Sequence, residues 1–149
     1  MAVVDRSTRL EASADAVWAA VKTPAAFRAV TRGVLTMPAI RSRNDQWREG
    51  ETVVGWVFLF GFVPFSRHHS RVELIDESAR VLSSREFGGV IRTWNHDIVI
   101  TPIDHANCLY RDRIEIEAGI MTAVVGLYAR WFYRTRQRRW RVVAKGMKS

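Results

Sequence analysis

The sequence has 149 residues, of which 48% are hydrophobic and 26% are charged. This length fits one folded domain of ordinary size, and the composition is that of a globular protein rather than a disordered chain. The formal net charge is +8, but residues 1–118 carry 15 basic and 15 acidic side chains, so the whole excess lies in residues 119–149.

The single cysteine, Cys108, excludes an intramolecular disulfide framework and fits a reducing compartment. Residues 1–4 run directly into Asp5 and Arg6, without the apolar segment of a secretory signal. The longest nearly uncharged late stretch, 118–129, is too short to cross a bilayer. We therefore expect a cytoplasmic protein.

The N-terminal part predicts a strand followed by two short helices. Residues 3–12 alternate loosely between apolar and polar side chains, as a strand does. Ser13 is a suitable N-cap for a first helix. Thr23-Pro24 begins a second helix, which Gly33 ends, because proline is favoured at a first helical position and glycine after a last one.

The middle of the chain predicts strands separated by short turns. Six segments are rich in β-branched and aromatic residues, namely 34–42, 51–60, 65–75, 80–87, 92–101 and 108–117. Because the connections between them are mostly short, they favour antiparallel hairpins over helical crossovers.

The last segment, 119–145, predicts one long helix of roughly 40 Å. Its apolar positions recur at three- and four-residue spacing and predict one buried face, formed by Met121, Val124, Val125, Tyr128, Trp131, Phe132 and Thr135. The complete order of strand, two short helices, six strands and long helix is that of an α+β domain.

Several segments resemble the START-like (SRPBCC) superfamily, and in particular its polyketide cyclase/dehydrase-like branch. Residues 13–21 (SADAVWAAV), followed by Thr23-Pro24, resemble its opening segment. Residues 94–102 (WNHDIVITP) and 109–114 (LYRDRI) resemble its last two strands, and residues 128–141 resemble its closing aromatic and arginine-rich helix.

The resemblance implies a helix-grip fold, in which a curved antiparallel sheet of about seven strands surrounds the long C-terminal helix. It covers nearly the whole chain and implies a single START-like domain over residues 1–149. An apolar cavity is expected between sheet and helix, with loops at its mouth. The superfamily includes lipid-transfer domains, hormone binders, and polyketide cyclases and aromatases, so the fold alone does not assign a function.

Candidate cavity walls come from alternate positions on the predicted strands. On the strand 51–61 both faces are apolar, and we expect the face with Trp56 and Phe58 to point inward. The full set of expected ligand-binding walls is Trp56, Phe58, Trp94, Ile98, Tyr110, Ile114, Val125 and Tyr128. Plain core packing explains the same aromatic residues equally well.

A candidate polar pair lies on the last two strands. If the turn between them is centred near Asp104, His96 lies opposite Asp112, close enough for the imidazole and carboxylate to pair. An inward Asp112 needs a donor, which His96 or Arg71 supplies. The pair, with Tyr110, is a candidate polar anchor or general acid–base site, and a purely structural pair is the alternative. A one-residue shift of register would place both side chains outside.

Metals and cofactors are not expected. His105 and Cys108 lack the further ligands of a zinc site, and no phosphate-binding glycine motif is present. In His68-His69, adjacent side chains point to opposite faces, so at most one reaches the cavity.

Arginines cluster on the C-terminal half of the last helix, at positions 134, 136, 138, 139 and 141. A peripheral contact with an anionic membrane stays open, and nucleic acid is the less favoured partner. A purely structural role explains the same charges, because cations near a helix C-terminus are favoured by its dipole and long arginines solvate the outer face. Tyr133 and Trp140 are candidates for a homodimer contact.

Three functions follow from these patterns. The first is binding of an apolar or aromatic small molecule, such as a lipid or polyketide, in the cavity. The second is a polyketide cyclase or aromatase activity at the same site, in which His96 moves protons next to a carbonyl and Tyr110 stabilises the enolate. The third is an interaction with anionic membrane or nucleic acid through the basic helix.

Overall fold

Seven antiparallel strands form one curved sheet in the computed structural model, which describes residues 1–147. Positions 148 and 149 of the expected domain lie outside the described residues. The strands are β1 (Ala2–Leu10), β2 (Leu35–Thr36), β3 (Thr52–Leu59), β4 (Val63–Asp76), β5 (Val81–Gly88), β6 (Ile91–Asp104) and β7 (Asn107–Glu117). Their order in the sheet is β1-β7-β6-β5-β4-β3-β2, so each strand from β2 to β6 pairs with the next one along the chain, and β7 also pairs with β1.

Three α-helices accompany the sheet: α1 (Ala14–Val21), α2 (Pro24–Thr31) and α3 (Thr122–Lys145). The Ser13 hydroxyl caps α1 by accepting from the Ala16 amide at 3.2 Å, and Thr23 caps α2 in the same way. None of the helices in the described part of the chain is long and apolar enough to span a membrane. The α+β helix-grip prediction is confirmed.

Two predicted elements differ in extent. The strand expected over 34–42 is reduced to Leu35–Thr36, and a 3₁₀ turn over Pro38–Ile40 follows. Pro38 has no amide hydrogen to donate to a neighbouring strand, so pairing stops there. Before α3, Gly119–Met121 forms a 3₁₀ turn, and the α-helix begins only at Thr122.

The core lies between one face of the sheet and α3. One buried cluster is centred on Trp18, Ile98, Tyr110 and Trp140, and a second includes Ile114 and Phe132. The opposite face of β1 and β7 carries exposed ion pairs, such as Arg111 with Asp5 at 2.6 Å. The sheet is therefore buried on one side only, as expected for antiparallel strands.

The buried face of α3 is rotated from the predicted one. It consists of Val125, Gly126, Ala129, Phe132, Tyr133, Arg136, Gln137, Trp140 and Ala144. Val124 and Trp131 are 58% and 43% exposed instead. The spacing of apolar residues is misleading here, because two polar side chains, Arg136 and Gln137, belong to the buried face.

Candidate functional site

A cavity of about 280 Å³ lies between the sheet and the N-terminal half of α3. Its walls are mostly apolar and include Leu35, Val57, Leu59, Ile91, Val125 and Phe132. Four further lining residues are also partly exposed to solvent and mark the mouth, namely Phe65, Val90, Met121 and Val124. The polar lining comprises His68, Glu86, His96, Tyr128, Tyr133 and Arg136.

His96 joins the cavity to a buried carboxylate. Its Nε2 donates to Asp112 Oδ1 over 2.7 Å, and Asp112 is completely buried while His96 is 6% exposed. In the β6–β7 register His96 is opposite Ile114, and Asp112 is opposite Ile98, so the contact is diagonal. Diagonal neighbours on one sheet face remain within reach of long side chains.

Asp112 has hydrogen-bond donors on both oxygens. Tyr110 donates its hydroxyl to Oδ1 at 3.0 Å, and Gln137 donates from Nε2 to Oδ2 at 3.1 Å. Burial alone would raise the pKa of Asp112, but the bond from His96, the nearby Arg136 charge and Gln137 together hold that pKa below its ordinary value. Asp112 is therefore a carboxylate inside the core.

The carboxylate fixes the form of the His96 ring. A carboxylate only accepts hydrogen bonds, so the proton of neutral His96 lies on Nε2. Nδ1 then carries a lone pair and has no hydrogen-bond partner within residues 1–147. Because His96 lines the cavity, Nδ1 is the nitrogen that can accept a proton or hydrogen bond from a bound molecule.

A second histidine–carboxylate pair lines the same cavity. His68 Nε2 donates to Glu86 Oε1 at 3.0 Å, and Ser84 Oγ donates to Glu86 Oε2 at 2.7 Å. Burial raises the pKa of Glu86, and the hydrogen bond and charge of His68 outweigh it, so the net direction is down. His69, the next residue, stacks on Phe87 instead, which confirms that only one of the two adjacent histidines reaches the cavity.

Arg136 brings a buried positive charge from α3. It is 6% exposed, its Nη2 donates to the Tyr110 hydroxyl at 3.3 Å, and its guanidinium lies 5.8 Å from the centre of the Tyr133 ring. Its charge offsets that of Asp112, since a buried carboxylate without a nearby cation is costly. The prediction that Arg136 belongs to an exposed basic cluster is wrong.

Two tyrosines with buried hydroxyl groups line the cavity. Tyr133 accepts from Trp94 Nε1 at 3.1 Å, which leaves its own proton to donate, and burial raises its pKa well above the ordinary value. The Tyr128 hydroxyl is buried with no partner in the described structure, and burial raises its pKa to about 12. Both therefore remain hydrogen-bond donors at neutral pH.

The expected orientation of β3 is wrong. Val57 and Leu59 line the cavity, whereas Trp56 is 52% exposed on the outer face and half-buried Phe58 does not reach the cavity. Both faces of this strand are apolar, so the sequence pattern does not distinguish inside from outside.

The other expected wall residues divide into two groups. Trp94, Val125 and Tyr128 line the cavity. Tyr110 and Ile114 are fully buried in the core without reaching it, and Ile98 lines a smaller neighbouring cavity of about 100 Å³ that also includes His96 and Arg136. Tyr110 therefore does not touch a ligand in the main cavity, contrary to its expected catalytic role.

Arg71 does not reach Asp112. It lies on the outer face of β4, and its Nε is 3.1 Å from the Glu73 carboxylate. Arg71 faces Arg85 and Thr52 on the neighbouring strands, with its side chain 56% exposed. The expectation that it supplies a donor to the cavity is wrong, and His96 alone of the two candidates does so.

The C-terminal half of α3 differs from the expected basic surface. Besides the buried Arg136, Arg139 donates to the Val30 carbonyl at 3.3 Å, and Arg141 donates to the Thr8 hydroxyl at 2.9 Å. Tyr133 and Trp140 are 2% and 1% exposed, so they belong to the core and offer no surface for a homodimer.

Sequence reasoning misses Glu86, Tyr133, Arg136 and Gln137 as site residues. For Glu86 the alternation on β5 indicates an inward side chain, because buried Leu82 and Ser84 share a face with Glu86. No such signal marks Arg136 and Gln137, whose burial depends on how α3 is rotated.

Comparisons with known proteins agree with this architecture. A model of the family described as a domain of unknown function (DUF8410) matches residues 8–143. No curated protein matches the sequence significantly.

Several solved structures share the fold. Norcoclaurine synthase from Thalictrum flavum, in complex with dopamine and hydroxybenzaldehyde, has a TM-score of 0.70 and 16% identity, over 99% of this chain and 88% of that one. A START superfamily protein from Mycobacterium smegmatis has a TM-score of 0.69 and 11% identity, over 98% and 99%. The Zhui aromatase/cyclase from Streptomyces sp. R1128 has a TM-score of 0.70 and 12% identity, over 96% and 93%. At these identities the likeness shows the fold alone, which is the START-like helix-grip fold.

Proposed function

We propose that this chain, which belongs to the family described as a domain of unknown function (DUF8410), binds a compact apolar molecule with a ring system in the cavity under α3. The observation that carries the proposal is that the cavity wall has a large apolar part and a small polar part. Apolar side chains form most of it, and its polar groups form two hydrogen-bonded sets. His68 pairs with Glu86, and His96 is joined to Arg136 through Asp112 and Tyr110. Such a division is typical of small-molecule sites.

The size of the cavity limits the ligand. A volume of about 280 Å³ lies near the lower end of the range of ligand pockets, which begins at roughly 300 Å³. Burial of apolar ligand surface, at about 25 cal/mol per Å², supplies the driving force before the costs of association. The cavity therefore fits a molecule of two or three rings better than a long acyl chain.

The polar lining favours a neutral ligand with hydroxyl or carbonyl groups. Asp112 is offset by Arg136, and Glu86 accepts hydrogen bonds from His68 and Ser84, so both carboxylates are already bonded within the protein. His96 Nδ1 accepts a hydrogen bond, and the Tyr133 hydroxyl donates one. The complex of norcoclaurine synthase with dopamine and hydroxybenzaldehyde supports a ring ligand with hydroxyl groups, since both molecules are hydroxylated rings.

A cavity-filling variant tests the proposal. We expect the neutral fluorescent probe N-phenyl-1-naphthylamine to bind the full chain with a 1:1 stoichiometry. Leu59→Trp fills the cavity and should weaken binding at least about tenfold. Leu74→Trp is the matched control, because Leu74 is on a strand of the same sheet and 41% exposed outside the cavity. Equal affinities of both variants and the unmodified chain would place the probe elsewhere.

A second function, proton transfer at a carbon next to a carbonyl, is favoured by the His96–Asp112 contact. Asp112 holds Nε2–H, which leaves Nδ1 as a base facing the cavity. In this step Nδ1 takes a proton from the α-carbon, the C–H electron pair forms the enolate, and the Tyr133 hydroxyl donates a hydrogen bond to its oxygen. Return of a proton from His96 to carbon completes the cycle. This is the acid–base step that an aromatase- or cyclase-type enzyme requires.

Hydrogen exchange measures this step without knowledge of the natural substrate. We expect the full chain to speed exchange of the α-protons of 1-tetralone for deuterium in D₂O, followed by proton NMR. His96→Gln should remove the acceleration while probe binding remains. His105→Gln is the matched control, because His105 is exposed in the β6–β7 turn. If exchange is no faster with the protein than in buffer alone, the proposed proton transfer is wrong and only the binding function remains.

A cytoplasmic location is part of the proposal. Its support is Cys108, a free thiol that is buried in the core.

A further inference from the structure

Exposed apolar side chains surround the mouth of the cavity. They come from the β3–β4 turn, the β5–β6 turn and the N-terminal part of α3 with the turn before it, and include Phe60, Phe62, Val90, Ile120, Leu127 and Trp131. Phe62 is 76% exposed, Leu127 is 65% exposed and Ile120 is fully exposed. We call these three segments, residues 60–67, 87–92 and 118–134, the mouth surface.

Contacts between the segments join them into one surface. The rings of Phe60 and Trp131 lie 5.9 Å apart, which links the β3–β4 turn to α3. A methyl group at Gly89 would lie 2.8 Å from Ser66 Cβ, so the β5–β6 turn packs against β4. Exposed apolar surface of this extent, continuous with a cavity mouth, is typical of an interaction site.

The backbone of the β3–β4 turn also points to a function. Phe60 and Gly61 have φ values of 55° and 82°, so both central residues of the turn closed by the Phe62 amide and the Leu59 carbonyl are left-handed. Asn, Asp or Gly normally occupies the first position, and a bulky residue there is strained. Core packing does not explain the aromatic side chain, because Phe60 is 48% exposed.

The charges of the mouth surface are all positive. Its three segments contain Arg67, Arg92, Arg130 and Arg134 and no acidic residue. All four arginines are exposed, and none of their guanidinium groups makes an ion pair or hydrogen bond within residues 1–147. Aromatic and aliphatic side chains between free guanidinium groups match an anionic lipid surface, where apolar groups enter the interface and cations meet the headgroups.

A second copy of the chain fits this surface less well. A two-fold symmetric contact would place the same patch on both sides, so four unpaired arginines would face four others. Phosphate headgroups supply the negative charge that such a contact lacks.

We infer that the mouth surface docks on anionic lipid bilayers, with the cavity mouth facing the apolar interior. The inference goes beyond the proposed function, because it identifies the medium with which the cavity exchanges its ligand. An apolar molecule then passes between bilayer and cavity without crossing water. It also centres the contact on the N-terminal part of α3, up to Arg134, rather than on the arginines at positions 136–141.

Vesicle sedimentation with the full chain tests the inference. We expect binding to vesicles of phosphatidylcholine with one quarter phosphatidylglycerol, weaker binding to phosphatidylcholine alone, and a decrease with added salt. Phe62→Asp should lower the partition coefficient about tenfold. Val142→Asp is the matched control and should change it little, because Val142 is 70% exposed near the other end of α3. Arg130→Ala with Arg134→Ala should reduce binding, whereas Arg138→Ala should not.

Three outcomes would overturn the inference. They are absence of vesicle binding, equal losses in the Phe62→Asp and Val142→Asp variants, and a dimer in sedimentation velocity that Phe62→Asp converts to monomer. Thermal unfolding and N-phenyl-1-naphthylamine binding should be unchanged in Phe62→Asp, since its side chain lies at an exposed turn outside the cavity. Failure of docking is therefore distinguishable from failure of the proposed cavity function.

Discussion

His96 and Asp112 lie diagonally on neighbouring strands, and their side chains meet over 2.7 Å on the buried face of the sheet. Asp112 is held by three donors, from β6, β7 and α3, and Arg136 compensates its charge. The contact connects the stability of the core with the orientation of the His96 ring on the cavity wall. Substitution of either residue should therefore alter both the free energy of unfolding and the properties of the cavity.

Acid should destabilise the fold through Asp112. The pKa of this carboxyl is held below its ordinary value of 3.8, so the stabilisation is complete above that value and is lost as pH falls through the lower folded pKa. Asp112→Asn should cost about 3 kcal/mol at pH 7 and show a shallower loss of stability below pH 4. Part of the acid dependence should remain in Asp112→Asn, because the pKa of Glu86 is also lowered in the folded protein.

Urea unfolding between about pH 1.5 and pH 7 measures this dependence, because the loss extends well below the ordinary pKa of the carboxyl. Asp15→Asn is the control, because Asp15 is 84% exposed in its ion pair with Arg80 and should behave as the unmodified chain. Parallel pH profiles of Asp112→Asn and the unmodified chain would contradict the assignment.

Two tyrosine variants separate structural from site roles. Tyr110→Phe removes a buried hydroxyl that donates to Asp112 and accepts from Arg136, so it should cost about 1–2 kcal/mol of stability. It should leave 1-tetralone exchange nearly unchanged, because Tyr110 does not line the cavity. Tyr133→Phe should lower the exchange rate at least about tenfold. A larger loss of the exchange rate in Tyr110→Phe than in Tyr133→Phe would show that Tyr110 stabilises the enolate, as the sequence predicts.

Two tryptophan variants test which sheet face binds the ligand. Trp94→Ala removes a cavity wall and should weaken N-phenyl-1-naphthylamine binding about tenfold, which fluorescence titration measures. Trp56→Ala should leave the affinity unchanged, since Trp56 lies on the outer face. The reverse order of effects would mean that the outer face carries the probe site.

Arg136 should be important for stability, unlike its neighbours along α3. Arg136→Met removes the cation beside buried Asp112 and should lower the free energy of unfolding by about 3 kcal/mol. Arg138→Met changes an exposed side chain on the same helix and should stay within about 0.5 kcal/mol. Equal, small effects in chemical denaturation would show that Arg136 is not buried as described.

The sequence predicts the order of the elements along the chain. It also predicts which residues of β6 and β7 share a face, because alternation has a period of two residues. It predicts that His96 lies opposite Asp112, whereas the register is shifted by two residues and the turn is at His105-Ala106. An even shift keeps both side chains on the same face, so the contact survives as a diagonal one.

Other parts of the site depend on tertiary packing. The inward face of β3 is not predictable, because apolar residues occupy both faces. The pairing of His68 with Glu86 depends on the β4–β5 register, which shifts between Val72 and Leu74. The burial of Arg136 is not predictable from the sequence, because it depends on Asp112 and Tyr110, which lie beneath α3.

Histidine NMR tests ligand binding in the cavity most directly, because the chain has only four histidines. During titration with N-phenyl-1-naphthylamine, the ring nitrogen signals of His68 and His96 should shift and saturate together, with His96 in the Nε2–H form. His69 and His105, which lie outside the cavity, should not change. Shifts confined to His69 or His105, with His68 and His96 unaffected, would contradict binding in the cavity.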